Sequence, residues 1–236
     1  MNPPPPQQCI LFDMDGVLVD VSRSYRRAIL DTVSHFVGST IEPALVQQFK
    51  NRGGFNDDWE LTRAMIRDHG VEADFDGVVA VFQNHYRGHD FDGYIEDESP
   101  LIDAPTLEAL ASVTTLGIVT GRPEAEALWT VNRFGWQDAF RVVLARESQD
   151  GRFKPDPYPL LKALKLISGG GRECTPAAAA YVGDTVDDMQ AAKAATVLPV
   201  GYVPPYLDPK LHTAVLRRAG AECVLTDFSE LLHLVR

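Results

Sequence analysis

Cysteine is scarce in this chain of 236 residues. The three cysteines are Cys9, Cys174 and Cys223, and no two of them stand in a CxxC spacing. An odd number of widely spaced cysteines argues against the disulfide framework that stabilises small secreted domains. We therefore expect three reduced thiols and a cytoplasmic protein.

Basic residues and long apolar runs are also lacking. The chain has 22 lysines and arginines against 33 acidic residues, a formal net charge of −11. It therefore has no excess of positive charge with which to neutralise nucleic-acid phosphates. No apolar run approaches the roughly 18 residues of a membrane span, and the first residues lack the basic and apolar regions of a signal peptide. We expect no nucleic acid and no membrane as partners, and small ligands or metal cations instead.

Enough apolar sequence is present to build a buried core, since 45% of the residues are hydrophobic. Short continuous apolar runs, typical of strands buried on both faces, recur along the chain. They lie at residues 9–12, 116–120, 142–145, 180–183 and 197–201, with a weaker run at 222–225. Helical patterns separate them, including one that begins at Pro123, a small-residue helix at 189–195, and an apolar face of Leu160, Leu161, Leu164 and Ile167. This alternation predicts an α/β fold with a doubly wound parallel sheet.

Residues 21–98 interrupt the alternation. They contain no convincing strand, and their apolar residues recur at helical spacing, most clearly at Phe75, Val78, Val79, Phe82 and Tyr86. We interpret these stripes as the core of a helical domain inserted into the α/β domain. The expected division is a core domain of residues 1–20 and 99–236 and an α-helical cap domain of residues 21–98.

A pair of acidic residues directly follows the first predicted strand. Asp13 and Asp15 lie in the sequence Asp-Met-Asp-Gly, at the carboxyl end of residues 9–12, where parallel sheets bind ligands. A turn at Met14 and Gly16 can bring both carboxylates toward one point, and a cation or a shared proton is then needed to relieve their repulsion. Ligands that are all oxygen favour Mg²⁺.

Three further segments follow apolar runs in the same way. They are the acidic turn of Asp184, Asp187 and Asp188, the Thr120-Gly121-Arg122 turn, and Lys154 between Phe153 and two prolines. Each has an ordinary explanation when taken alone. The acidic turn can simply cap a helix, the Thr-Gly turn can be only a turn, and a single lysine is usually a solvated charge.

Taken together and in this order, the four segments resemble the haloacid dehalogenase superfamily of phosphohydrolases. The family signature is an Asp-x-Asp-Gly turn, a Thr or Ser, a Lys and a Gly-Asp-x-x-x-Asp turn, and the resemblance spans residues 9 to about 201. The helical insertion between the first two motifs is similar to that of phosphoglycolate phosphatases and β-phosphoglucomutases. The resemblance implies a Rossmann-like α/β core with a helical cap.

The resemblance also implies roles for individual residues. Asp13 would be the nucleophile that forms an aspartyl-phosphate, and Asp15 the general acid and base. Mg²⁺ would be held by Asp13, the backbone carbonyl of Asp15, Asp184 and Asp188, with Asp188 preferred to Asp187. The phosphoryl oxygens would be bound by Thr120, Gly121 and Lys154. Arg122 and Asn132 receive no role.

The expected function is therefore a Mg²⁺-dependent phosphatase that hydrolyses a small phosphorylated metabolite. A sugar phosphomutase of the β-phosphoglucomutase type stays open, because it uses the same four motifs and transfers the phosphoryl group to a sugar hydroxyl instead of water. A catalytically inactive protein that binds a metal or a phosphorylated metabolite is the more distant alternative. Val17 and Gly121 depart from the common pattern of Thr and Asn, which leaves the substrate open.

The polar loop at residues 51–59 of the predicted cap carries glycines and flanking aromatic residues. A spacer loop is polar for simple reasons of solvation, so a purely structural role stays open. The alternative hypothesis is that part of the loop recognises the polar tail of the substrate when the cap closes. The candidate specificity residues are Arg52, Asn56, Asp57 and Trp59.

Overall fold

The computed structural model describes residues 8–169 and 174–235. The chain divides into two compact units. The first unit holds the chain up to Val19 and again from Pro100, and the second is Asp20–Ser99. The two units are described separately below.

The strands are β1 (Cys9–Phe12), β2 (Val19–Asp20), β3 (Ser99–Pro100), β4 (Thr115–Val119), β5 (Phe140–Leu144), β6 (Ala179–Gly183), β7 (Leu198–Tyr202) and β8 (Cys223–Leu225). The α-helices are α1 (Tyr25–Val37), α2 (Ala44–Arg52), α3 (Asp58–Asp68), α4 (Phe75–Tyr86), α5 (Ala104–Val113), α6 (Glu124–Arg133), α7 (Tyr158–Ser168), α8 (Val186–Ala194) and α9 (Pro209–Ala219). Short 3₁₀ helices are Tyr94–Asp97, Arg146–Gln149, Pro176–Ala178 and Phe228–His233.

A six-stranded sheet forms the centre of the first unit. Its strand order is β5-β4-β1-β6-β7-β8, and every neighbouring pair is parallel. The strand order runs outward in both directions from β1, so helices are needed for each crossover, as in doubly wound sheets. The predicted α/β fold with a helical insertion after its first strand is confirmed. β2 and β3 form a separate two-stranded sheet.

The central strands are buried on both faces, which explains their continuous apolar sequences. All four residues of β1 and all five of β6 are buried. Gly117 in β4 leaves room for its neighbours, because a Cβ atom there would lie 2.8 Å from the Leu11 side chain and 2.9 Å from that of Val142. Tight packing of this kind sets the positions of the strand ends from which the candidate site is built.

Two expectations about the core are wrong. Cys9 and Cys174 are both buried and are joined as a disulfide, with their Cα atoms 6.1 Å apart, whereas we expected three reduced thiols. Cys223 is the free cysteine. Leu161, assigned above to the apolar face of α7, is 40% exposed, because the face that packs on the sheet is that of Leu160, Leu164 and Ile167.

The second unit is helical, and helices α1 to α4 form its core. The rings of Tyr25, Phe82 and Tyr86 pack against one another, with centroids 3.9 to 6.0 Å apart. The carboxylate of Glu98 is buried beside them and accepts hydrogen bonds from Ser24 and from the Tyr86 hydroxyl. Because buried polar groups need partners, this cluster fixes how α1 and α4 pack. Within residues 8–169 and 174–235, no helix has both the length and the apolarity required to cross a lipid bilayer.

Candidate active site

Asp13 and Asp15 lie in a tight turn at the carboxyl end of β1. The Asp13 backbone N–H donates to the Val182 carbonyl at 2.9 Å, which extends the pairing of β1 with β6 by one residue. The turn then reverses at Gly16, whose φ of +75° favours glycine. A Cβ atom on Gly16 would also contact the Asp184 carboxylate, with 2.9 Å to Cγ. The turn therefore needs glycine for its backbone conformation and for the close approach of Asp184.

The second acidic turn lies at the carboxyl end of β6 and begins α8. The Thr185 hydroxyl accepts a hydrogen bond from the Asp188 backbone N–H, and the Asp188 carboxylate accepts one from the Thr185 backbone N–H. This reciprocal capping box is the structural role weighed above for these residues. Asp188 is fully buried and also contacts Lys154. The same carboxylate therefore caps α8 and takes part in the candidate site.

Lys154 lies between the two acidic turns. Its Nζ atom is 3.0 Å from Asp13 Oδ1 and 2.7 Å from Asp188 Oδ1, and it donates to the Tyr181 hydroxyl at 2.9 Å. The side chain is 1% exposed. Burial alone lowers the pKa of this ammonium, but the charges of Asp13 and Asp188 outweigh burial and raise it well above its usual range. Lys154 is therefore a fixed positive charge.

The two aspartates that share Lys154 differ in their electrostatic surroundings. Burial raises the pKa of Asp13 to about 7; the Lys154 charge opposes this effect, and the charges of Asp188 and Asp15 add to it. Burial also acts to raise the pKa of Asp188, but Lys154 and the hydrogen bonds from Thr185 hold it below its usual range. Without a further cation, Asp13 is the acid that holds a proton near neutral pH.

Three buried carboxylates form a group that fits a hard divalent cation. One oxygen from each of Asp13, Asp184 and Asp188 lies within 4.8 Å of the others. The donors are all oxygens, the ligand type that Mg²⁺ prefers. When all three carboxylates are ionised, three negative charges face the single positive charge of Lys154, and a divalent cation would balance the group. The Asp15 carboxylate is directed elsewhere, to Arg122.

The predicted phosphate-binding residues follow β4 and lie in the same unit. Thr120 is fully buried; its backbone N–H donates to the Leu144 carbonyl at 3.0 Å, and its carbonyl accepts from Gln149 at 2.6 Å. Its hydroxyl accepts a hydrogen bond from the Arg122 backbone N–H at 3.2 Å. Gly121 lies between them and is partly exposed. These contacts hold the turn that follows β4 in one conformation.

Two contributors to the site were not assigned a role from the sequence. Arg122 contacts Asp15, and the Tyr181 hydroxyl contacts both Lys154 and Asp188. Tyr181 had one signal in the sequence, because a phenol in a strand buried on both faces needs a polar partner near the strand end. Arg122 directly follows the Thr120-Gly121 turn, which places it near the predicted site. That position does not reveal which acidic residue it binds.

The four candidate specificity residues belong to the second unit. The Asp57 carboxylate caps α3, accepting hydrogen bonds from the backbone N–H groups of Trp59 and Glu60. The Trp59 ring packs edge-on against Phe75, with centroids 6.5 Å apart. The exposed Arg52 guanidinium lies 4.2 Å over the Phe49 ring, and Asn56 is partly exposed. Asp57 thus has a clear local structural role, while Arg52 presents its charge at the surface.

The parallel sheet, the acidic turns at the ends of β1 and β6, and the buried lysine define a doubly wound α/β protein with a carboxylate-rich site at the carboxyl ends of its strands. The model of the haloacid dehalogenase-like hydrolase family matches residues 7–196. The chain belongs to this family.

The chain is also similar to individual proteins and solved structures. An imidazoleglycerol-phosphate dehydratase from Phytophthora nicotianae is 36% identical over 98% of this chain, which spans about half (53%) of that relative's length. A phosphoglycolate phosphatase from Psychrobacter arcticus is 27% identical, with 83% of each protein covered. Among solved structures, one described as a phosphoglycolate phosphatase from Lactobacillus plantarum has a TM-score of 0.75 at 23% identity, with 97% of this chain and 99% of that chain covered.

Proposed function

We propose that this protein is a Mg²⁺-dependent phosphatase that hydrolyses a small phosphate monoester through an aspartyl-phosphate on Asp13. The observation that carries the proposal is the group formed by Asp13, Asp184, Asp188 and Lys154 at the carboxyl ends of β1 and β6. Family membership and the phosphatase relatives agree with it.

The first step forms one bond and breaks another at phosphorus. A carboxylate oxygen of Asp13 attacks phosphorus, and the bond from phosphorus to the ester oxygen breaks. Asp15 gives a proton to the departing oxygen, so an alcohol leaves instead of an alkoxide. In the second step water attacks the aspartyl-phosphate, Asp15 takes a proton from that water, and inorganic phosphate leaves with Asp13 regenerated.

The remaining site residues would bind and orient the phosphoryl group. Lys154 would place its positive charge beside the nucleophile, which lowers the repulsion between Asp13 and a phosphate dianion. The Thr120 hydroxyl and the Gly121 backbone N–H would donate to phosphoryl oxygens. Mg²⁺, held by Asp13, the carbonyl of Asp15, Asp184 and Asp188, would neutralise negative charge on the transferring group.

The test is release of inorganic phosphate from a panel of phosphate monoesters, with Mg²⁺ or with EDTA. The names of the relatives suggest 2-phosphoglycolate and imidazoleglycerol phosphate for the panel, together with hexose phosphates and p-nitrophenyl phosphate. We expect release that needs Mg²⁺ and is lost in Asp13→Asn. Release that persists in Asp13→Asn would exclude this mechanism. A wild type that interconverts hexose phosphates instead of releasing phosphate would be a phosphomutase.

We propose that substrate specificity depends on binding of the substrate's polar tail by Arg52, Asn56, Asp57 and Trp59. The exposed charge of Arg52 supports this role most directly, because an anionic tail would bind it. Changes in the ratio of kcat/KM between tailed and untailed substrates measure the effect. Arg63→Ala, a partly exposed arginine on α3, is the matched control.

A further inference from the structure

Arg122 is the largest fully buried side chain among the described residues. It follows the Thr120-Gly121 turn after β4, and its Nε and Nη2 atoms both donate to Asp15 Oδ1, at 2.9 Å and 2.5 Å. Its Nη1 atom donates to the Thr130 hydroxyl in α6 at 2.8 Å. The guanidinium is thus anchored to α6 on one side and binds the Asp15 carboxylate on the other.

The backbone of Arg122 is held as firmly as its side chain. Its N–H donates to the Thr120 hydroxyl at 3.2 Å, and its carbonyl accepts from the Arg146 N–H at 2.9 Å. A buried guanidinium with fixed ends loses little entropy when it binds a carboxylate. By contrast, Asp15 is a turn residue whose side chain is 21% exposed, so its carboxyl group would otherwise be free to rotate.

We propose that Arg122 is a positioning residue for Asp15 and holds its carboxyl group in the orientation that serves proton transfer to and from the reacting oxygens. Arg122 itself does not touch the phosphoryl group in this assignment. The proposal rests on the proposed phosphatase function. It goes further by separating the turn after β4 into Thr120 and Gly121, which bind phosphate, and Arg122, which serves the acid.

Leaving groups that differ in basicity reveal this role. Nitrophenolate leaves without a proton, whereas an alkoxide needs one from Asp15. When Arg122 no longer orients Asp15, p-nitrophenyl phosphate still phosphorylates Asp13, but the intermediate breaks down slowly, because that step needs Asp15 as a base. Rapid mixing would then show one nitrophenolate released quickly per active site, followed by a slow steady state.

We expect Arg122→Met to show this rapid phase at close to the wild-type rate, and to lose about 10²-fold in single-turnover cleavage of an alkyl phosphate. Arg122→Lys keeps the positive charge but cannot donate the two parallel hydrogen bonds of a guanidinium. We expect it to recover part of the rate of alkyl phosphate cleavage. Asp15→Asn behaves like Arg122→Met, and combining the two variants costs little more than Asp15→Asn alone, because both act on one group. Arg141→Met, an exposed arginine on β5, is the control.

Equal losses on aryl and alkyl phosphates in the first step, the transfer of the phosphoryl group to Asp13, would overturn the proposal. So would losses that simply add to those of Asp15→Asn. A slower rapid phase with a raised KM would place Arg122 on the phosphoryl group instead. If Arg122→Met does not fold, Thr130→Val removes the hydrogen bond that anchors Arg122 to α6. We expect it to lower single-turnover cleavage of the alkyl phosphate three- to tenfold, about the value of one hydrogen bond, and to leave the rapid nitrophenolate phase little changed. A wild type that releases neither nitrophenolate nor phosphate would refute the proposed function itself.

Discussion

Replacing Asp13 with Asn should stabilise the metal-free protein while abolishing its activity. Asn has nearly the shape of the protonated carboxyl group but cannot ionise. In the wild type, burial makes ionisation of Asp13 unfavourable and raises its pKa from an ordinary 3.8 to about 7. Asp188, whose pKa is held low by Lys154, stays ionised through the same range and does not obscure the effect.

The raised pKa of Asp13 fixes both the sign and the size of the effect. The folded protein keeps the proton up to about pH 7, while the unfolded chain loses it near pH 4, so this group destabilises the fold as pH rises through that window. Between about pH 5 and pH 8 the free energy of unfolding of the wild type should fall by about 2–3 kcal/mol relative to that of Asp13→Asn. Well above pH 7 the full difference approaches about 4 kcal/mol.

Urea denaturation in EDTA, followed by circular dichroism at several pH values, measures this difference directly. The free energy of unfolding of each protein is plotted against pH, and the gap between the two curves isolates Asp13. Asp90→Asn, which removes an exposed carboxylate, is the control for loss of one charge. Saturating Mg²⁺ at about pH 8 should restore wild-type stability by about 2–3 kcal/mol at a hundredfold excess over Kd, and Asp13→Asn by less.

Parallel curves for wild type and Asp13→Asn between about pH 5 and pH 8 would refute this reasoning. They would mean that Asp13 titrates in the folded protein as it does in the unfolded chain. A wild type that gains stability over this range relative to Asp13→Asn would mean that attraction to Lys154 outweighs burial.

Three other perturbations test separate parts of the structure. Lys154→Met should lower the free energy of unfolding by about 3–5 kcal/mol in EDTA, because the buried, ionised carboxylate of Asp188 loses its counter-charge, and urea denaturation measures the loss. Arg52→Ala should lower kcat/KM about tenfold for substrates with an anionic tail and leave untailed substrates unchanged, as steady-state kinetics will show. Alkylation after unfolding without reductant should modify only Cys223, and prior reduction should expose all three cysteines to the reagent, as counted by mass spectrometry.

Each of these has an outcome that contradicts it. A Lys154→Met protein as stable as the wild type would mean that Asp188 does not carry a buried negative charge in the fold. Equal losses on all substrates after Arg52→Ala would remove this residue from substrate choice. Three alkylated cysteines before reduction would show that Cys9 and Cys174 are thiols in the isolated protein.

The sheet was predictable because its central strands are buried on both faces. Such strands are continuous apolar runs, so the run at 116–120 predicted β4, which the structure has at Thr115–Val119. The positions of Asp13, Thr120 and Asp184 directly after such runs predicted the candidate site in outline, since parallel strands end at one edge of the sheet.

Contacts made across the fold were not predictable in the same way. The partner of Arg122 depends on how the turn after β1 faces the turn after β4, which no local pattern records. The disulfide joins cysteines 165 residues apart, so spacing along the chain says nothing about it. Leu161 was misassigned because a helical stripe does not reveal where the sheet ends beside α7.

Gly16 and Gly183 supply no functional group, yet side chains at either position would collide with the site. A Cβ atom on Gly183 would lie 2.6 Å from Asp188 Cγ, and one on Gly16 would press on Asp184. In a scan of all single substitutions scored by activity, these two glycines should therefore rank with the acidic residues that they border. A ranking of positions by their tolerance to substitution would therefore place both glycines among the catalytic residues. Their actual contribution is the space that they leave for Asp184 and Asp188.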